Sequence, residues 1–121
     1  MFTIQQLKNI HTVFNQQVFD GELSEVPFGV KRSNNTYGSF ECGTNIKHPR
    51  MFISRETLEE GTTQILATIA HEMCHQAQLE LSEAPFKVIS KEMDHHNGFF
   101  PVYVQKFKDR FPRHNFIDHI V

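Results

Sequence analysis

The spacing of apolar positions predicts a helix at the start of the chain. Thr3 and Gln6 form a capping box ahead of an apolar run that continues to Phe19, and Asp20 with Gly21 predicts the helix end. The apolar positions recur at helical spacing: Ile4, Leu7, His11, Phe14 and Val18. We therefore expect one amphipathic N-terminal helix.

Alternation with a period of two replaces this spacing in the middle of the chain. Phe28, Val30 and Arg32 predict a strand after Pro27, and residues 36–41 and 50–54 predict two more. A turn at 33–35 and a polar connection that includes Pro49 separate the three strands.

A second helical pattern follows the strands. One face is apolar, with Ile65, Leu66, Ile69, Ala70, Met73 and Ala77, and the opposite face carries Gln64, Thr68, His71, His75 and Gln78. The pattern predicts a helix that packs its apolar face on a core and turns both histidines toward a cleft or solvent.

The pattern breaks at 82–85, and residues 86–93 are consistent with a short helix. Asn97 is a plausible cap for a last helix over 98–110, since Pro101 is tolerated only near a helix start. Its apolar face, with Phe100, Tyr103, Val104 and Phe107, is most simply core packing, although Tyr103 is close enough in sequence to the site to be considered. The tail beyond Pro112 follows no clear pattern. Three strands between helices predict an α+β fold.

Composition narrows the functional classes. The chain has 121 residues, a formal net charge of -2 and two cysteines. This length suits one domain over residues 1–121, and the charge gives no overall electrostatic attraction to nucleic acid. Two cysteines are too few for a disulfide framework, and no apolar run reaches bilayer length. We expect a cytoplasmic protein without membrane contact.

The segment His71-Glu72-Met73-Cys74-His75 carries the candidate chemistry. Histidines four residues apart lie on one helix face and can bind the same Zn²⁺ ion, while Glu72 lies about a third of a turn away, where it need not bind the ion and can take a proton from the metal-bound water. A catalytic zinc site keeps three protein ligands and an open position. The sequence therefore predicts a metal hydrolase. Two of its three protein ligands are assigned, and the third must come from elsewhere in the chain.

Several residues are candidates for that third ligand. They are His11, His48, His95, His96, His114, His119, Cys42 and the acidic residues. The segment 94–98 is the best local candidate, because 20 residues between His75 and His96 suffice for the chain to return to the site. On this spacing argument alone, either His95 or His96 can be the third ligand. Cys42 resembles a deformylase ligand segment, but the order of its motif is inverted.

The motifs occur in the order seen in the SprT-like metalloprotease domain. Residues 14–23 resemble the family's F-N-x-x-x-F-x-G-x-L helix end, Tyr37-Gly38 resembles one strand, and residues 51–54 resemble the segment before the active helix. His71, Glu72 and His75 match the family's two ligands and general base. His96 starts a segment similar to its H-G-x-x-F/W pattern, with the glycine displaced by one position.

The resemblance implies a minimal zincin-like fold of N-terminal helix, three-stranded sheet, active-site helix and C-terminal helix. It also implies a zinc-dependent peptidase with His71, His75 and His96 as ligands and Glu72 as base, acting on a protein or peptide. An edge strand at Tyr37 or Phe52 is expected to align the substrate. The zinc ribbon and the DNA-binding segments of some relatives have no counterpart here.

Three alternatives complete these expectations. The first is a binding module that keeps the metal without proteolysis. The second is local nucleic-acid binding through basic side chains, namely Lys31, Arg32, Lys47, Arg50, Arg55, Lys106, Lys108, Arg110 and Arg113. In the third alternative, residues 82–94 fold over the metal position as a lid. The simpler interpretation of this segment is a connecting helix that packs on the core.

Overall fold

Four α-helices and a three-stranded sheet make up the part of the chain that the computed structural model describes, residues 2–33, 35–43, 46–81 and 100–120. The elements are α1 (Ile4–Phe19), β1 (Phe28–Lys31), β2 (Gly38–Gly43), β3 (Ile46–Ser54), α2 (Arg55–Glu60), α3 (Thr62–Glu80), α4 (Phe100–Arg110) and a 3₁₀ helix (Asn115–His119). The predicted α+β class is confirmed.

Helix α1 begins and ends where its sequence predicts. Thr3 and Gln6 form the reciprocal capping box, with hydrogen bonds of 2.8 and 3.1 Å. At the other end Asp20 adopts a left-handed conformation (φ 54°). The Asn15 side chain then donates to the Leu23 carbonyl (2.8 Å) and accepts from the Leu23 N–H (3.0 Å). The asparagine of the F-N motif thus fixes the turn that follows the helix.

The sheet has the order β1-β3-β2, with β1 parallel and β2 antiparallel to the central strand β3. Among the described residues β2 pairs only with β3 and lies at an edge of the sheet. Of the two segments predicted to supply the edge strand, the Tyr37 segment leads into β2; its role in aligning a substrate stays a prediction. The Phe52 alternative is wrong because Phe52 lies in the central strand.

Strand β3 is longer than the predicted 50–54 segment. It begins at Ile46 and includes Pro49, which the sequence had placed in a connection. Proline cannot donate to a neighbouring strand and is found mainly at edges and bulges. Both conditions hold here: β1 begins to pair only at Met51, and the pairing with β2 shifts register between Glu41 and Gly43. Pro49 therefore removes few hydrogen bonds between β3 and its neighbouring strands.

Helix α2 is absent from the sequence prediction. Ser54 caps it by accepting a hydrogen bond from the Thr57 N–H (3.0 Å). The Ser54 N–H and the Thr57 hydroxyl both donate to the Tyr37 carbonyl, each at 2.8 Å. This short helix thus holds the start of β2 in place.

Helix α3 is more buried than its predicted two-faced pattern implied. Most of the apolar face is in the core, yet Thr68, Glu72, Gln76 and Gln78 on the other faces are also buried. The reason is that other elements cover those faces, since β2 and the 3₁₀ helix both pack on α3. Helix α4 covers it as well. Tyr103 of α4 is buried against Phe19 of α1 (6.0 Å between ring centroids) and does not line the cleft described below.

Candidate metal centre and cleft

His71 and His75 lie one turn apart on α3 with their Nε2 atoms 3.2 Å from each other. In a tetrahedral zinc site with Zn–N bonds of about 2.0–2.1 Å, two ligand nitrogens are about 3.3 Å apart. The observed separation therefore matches one edge of such a tetrahedron. Both rings are half-buried.

Phe100, the first residue of α4, packs on both imidazoles. Its ring centroid is 5.1 Å from that of His71 and 4.7 Å from that of His75, and its side chain is buried. This phenylalanine is the aromatic residue that matched the family pattern starting at His96. The contact excludes solvent from one side of the histidine pair.

The orientation of His75 is fixed by Gln78. The Nδ1 atom of His75 lies 2.8 Å from Oε1 of Gln78, whose side chain is buried. Donation from Nδ1 selects the tautomer whose Nε2 carries no proton and can bind a metal, which is the usual role of such a partner. The sequence placed Gln78 on the histidine face but assigned it no role.

Glu72 completes the group. The ligand atoms of His71, Glu72 and His75 all lie within 4.8 Å of one another. Burial raises the pKa of the Glu72 carboxyl to about 8, and a hydrogen bond from the Phe40 main-chain N–H opposes that shift. A cation at the histidines would favour the carboxylate form. A carboxyl tuned close to neutral pH suits proton transfer.

A cleft of about 250 Å³ opens beside this group. Helix α3 forms its floor with Gln64, Thr68, His71 and Glu72, and one wall is the start of β2 with Tyr37 and Gly38. His119 lines the cleft as well. The floor and the first wall follow from the predicted elements, whereas His119 comes from a tail whose structure the sequence left unassigned.

Gly38 explains how β2 comes so close to α3. A Cβ atom on this residue would lie 2.6 Å from the Phe52 carbonyl oxygen and 2.8 Å from the Thr68 methyl group. Only glycine fits between the central strand and the active helix. The start of β2 therefore lines the same cleft as His71 and Glu72.

The other candidate ligands divide into two sets. Among the described residues, the potential metal-binding group contains only His71, Glu72 and His75, so the structure does not place Cys42, His11, His48, His114 or His119 within ligand distance of the pair. His95, His96 and the lid segment 82–94 lie outside the described residues. His11 is buried and hydrogen-bonded to Gln76 (2.8 Å), which gives it a structural role.

The basic residues proposed for nucleic-acid contact are partly engaged elsewhere. Lys31 and Arg50 form ion pairs with Glu41 at 2.8 and 3.4 Å. Lys31 also lies over the Phe52 ring, 4.2 Å from its centroid. These contacts reduce the positive potential of that face of the sheet.

The family model of the SprT-like family matches residues 7–115. The chain belongs to the SprT-like family. The match covers nearly all of the chain and confirms the resemblance drawn from the motifs. It also identifies this SprT-like chain as a metalloprotease-like domain. No curated protein and no solved structure is significantly similar to it.

None of the helices in the described residues combines the length and apolar character needed to cross a bilayer.

Proposed function

We propose that this protein is a zinc-dependent metallopeptidase that hydrolyses peptide bonds in protein substrates. The observation that carries the proposal is the convergence of two imidazole Nε2 atoms at 3.2 Å beside a buried carboxyl group. Membership in the SprT-like family supports the same activity.

His71, His75 and His96 would hold the ion. His71 and His75 have the required separation, and Gln78 orients the second of them. His96 precedes Phe100 by four residues, a stretch that spans at most about 14 Å. Since Phe100 contacts both imidazoles, this chain length is compatible with His96 as the third ligand. When bound, zinc supplies Lewis-acid chemistry that polarises the scissile carbonyl and acidifies water.

Glu72 is the proton carrier in this proposal. Its carboxylate accepts a proton from the attacking water as the water oxygen forms a bond to the carbonyl carbon. It then gives that proton to the amide nitrogen as the C–N bond breaks. The Phe40 main-chain N–H lowers the pKa of this carboxyl and so favours the charged form that accepts the proton.

The substrate is an extended segment of protein. The edge of β2 that has no partner strand among the described residues presents main-chain groups near the cleft, and an extended peptide can pair with such an edge as an added strand. Main-chain pairing recognises conformation more than sequence, so we expect unfolded or loosely folded segments to be cleaved in preference to compact domains.

Incubation of the zinc-loaded protein with unfolded casein tests this proposal, with new amino termini identified by mass spectrometry. We expect cleavage that a chelator abolishes and that added zinc restores. Full zinc occupancy without any new amino terminus would favour the alternative of a metal-containing binding module.

A further inference from the structure

The tail of the chain is built to present His119 to the cleft. Phe116, Ile117 and Ile120 are buried, and the Phe116 ring lies 5.4 Å from that of Phe14 in the core. The 3₁₀ helix that contains His119 packs directly on α3. His119 lies between buried residues but is itself exposed, so its backbone is fixed while its imidazole is available.

His119 also marks the end of the cleft. Together with Gln64 it lines the cleft and a second hollow of about 560 Å³ that continues toward Thr63 and Asn115. These two residues therefore form the neck between the two spaces. An extended peptide that pairs with β2 and continues from the cleft into the second hollow would pass between these two residues.

We propose that His119 is a substrate-binding residue whose imidazole forms a hydrogen bond with the main chain of the peptide at this neck. The inference rests on the proposed peptidase function. An imidazole on a fixed backbone suits this task, because its ring nitrogens can donate to a peptide carbonyl or accept from a peptide N–H. His119 lies outside the group of His71, Glu72 and His75, so the contact is with substrate rather than with the metal.

The test compares three variants of the full, zinc-loaded chain on a quenched fluorescent peptide containing a bond that the wild-type protein cleaves in casein. His119→Ala removes the contact, and His119→Gln keeps a side-chain N–H. His114→Ala is the matched control, because His114 is exposed at the start of the same 3₁₀ helix and lines neither space. Zinc content and melting temperature are measured for each.

We expect His119→Ala to raise KM about five- to tenfold with kcat within twofold, the effect of losing one hydrogen bond in ground and transition states alike. His119→Gln should recover part of the loss, and His114→Ala should match the wild type. Zinc content should not change in any variant, and the melting temperature of both His119 variants should match the wild type; His114→Ala loses ring contacts with Phe111 and Phe116, so only its KM and zinc content serve as the control.

Other results would overturn the inference in distinguishable ways. If the wild-type protein cleaves the peptide and His119→Ala keeps KM within twofold, the inference fails while the peptidase function stands. Loss of zinc in His119→Ala would make this residue a metal ligand, and an equal effect in His114→Ala would indicate a general disturbance of the tail. A lower kcat at unchanged KM would also refute the binding role. Absence of cleavage by the zinc-loaded wild type would refute the function and this inference together.

Discussion

Replacement of Gly38 by alanine should separate the edge strand from the active helix. The added Cβ would lie 2.6 Å from the Phe52 carbonyl oxygen, and real Cβ atoms keep at least 3.0 Å, so β2 must retreat by at least 0.4 Å. That movement weakens the pairing of Gly38 with Ile53 and the hydrogen bond between the Ser54 N–H and the Tyr37 carbonyl.

Overpacking of this kind costs about 1–3 kcal/mol of unfolding free energy. Thr68 supplies the second obstacle, a methyl group 2.8 Å from the same position. Thr68→Ser removes that methyl but keeps the hydroxyl that accepts from Gln64. A double-mutant cycle of Gly38→Ala with Thr68→Ser should therefore show a favourable coupling of about 0.5–1.5 kcal/mol.

Gly29→Ala is the matched control. Its Cβ would lie 2.5 Å from an atom of the Phe52 side chain, a half-buried ring that can turn away, whereas the main-chain oxygen facing Gly38 cannot. Urea unfolding followed by circular dichroism measures each variant. Equal stability of Gly38→Ala and wild type, or a larger loss in Gly29→Ala, would refute the packing that brings β2 to the site.

Two further predictions concern His11 and the third ligand. Burial lowers the pKa of His11 from 6.5 in spite of Gln76, Glu80 and Glu25, which raise it. The stability that the neutral form provides is complete above the unfolded-state pKa and is lost as the pH falls toward the folded-state pKa. Between pH 6.5 and 5.5 the metal-free wild type should therefore lose up to about 1 kcal/mol more unfolding free energy than His11→Gln; parallel stability profiles would contradict this. For the third ligand, His96→Ala should lose zinc affinity far more than His95→Ala in competition with a chelator, and the reverse order would assign the ligand to His95.

Local signals in the sequence predicted the elements that local physics determines. The capping box of α1, its end at Asp20 and the placement of both histidines on one face of α3 all depend on residues within a few positions of each other. The fold class followed from these elements, and the family resemblance followed from the order of the motifs. The Tyr37 segment was also found, although the sequence did not decide between it and Phe52.

The remaining features depend on partners distant in sequence. Helical spacing placed Thr68 and Gln78 on the face of α3 opposite the apolar stripe, but did not show that β2 and the 3₁₀ helix pack on α3 and that both side chains are buried. The sequence pattern placed Pro49 outside the strand because proline cannot donate to a neighbouring strand. The missing β1 partner at Pro49 and the register shift with β2, which accommodate this proline, cannot be read from the sequence. Helix α2 is only six residues long, and its signal, Ser54 ahead of Thr57, is also common in turns.

Glu72→Gln provides the most direct test of the proposed mechanism. The variant keeps the shape of the side chain but cannot accept a proton, so we expect the same zinc content and melting temperature as the wild type. The initial rate of casein cleavage should fall by roughly 100- to 10,000-fold. Wild-type cleavage by zinc-loaded Glu72→Gln would contradict the assignment of Glu72 as the proton carrier.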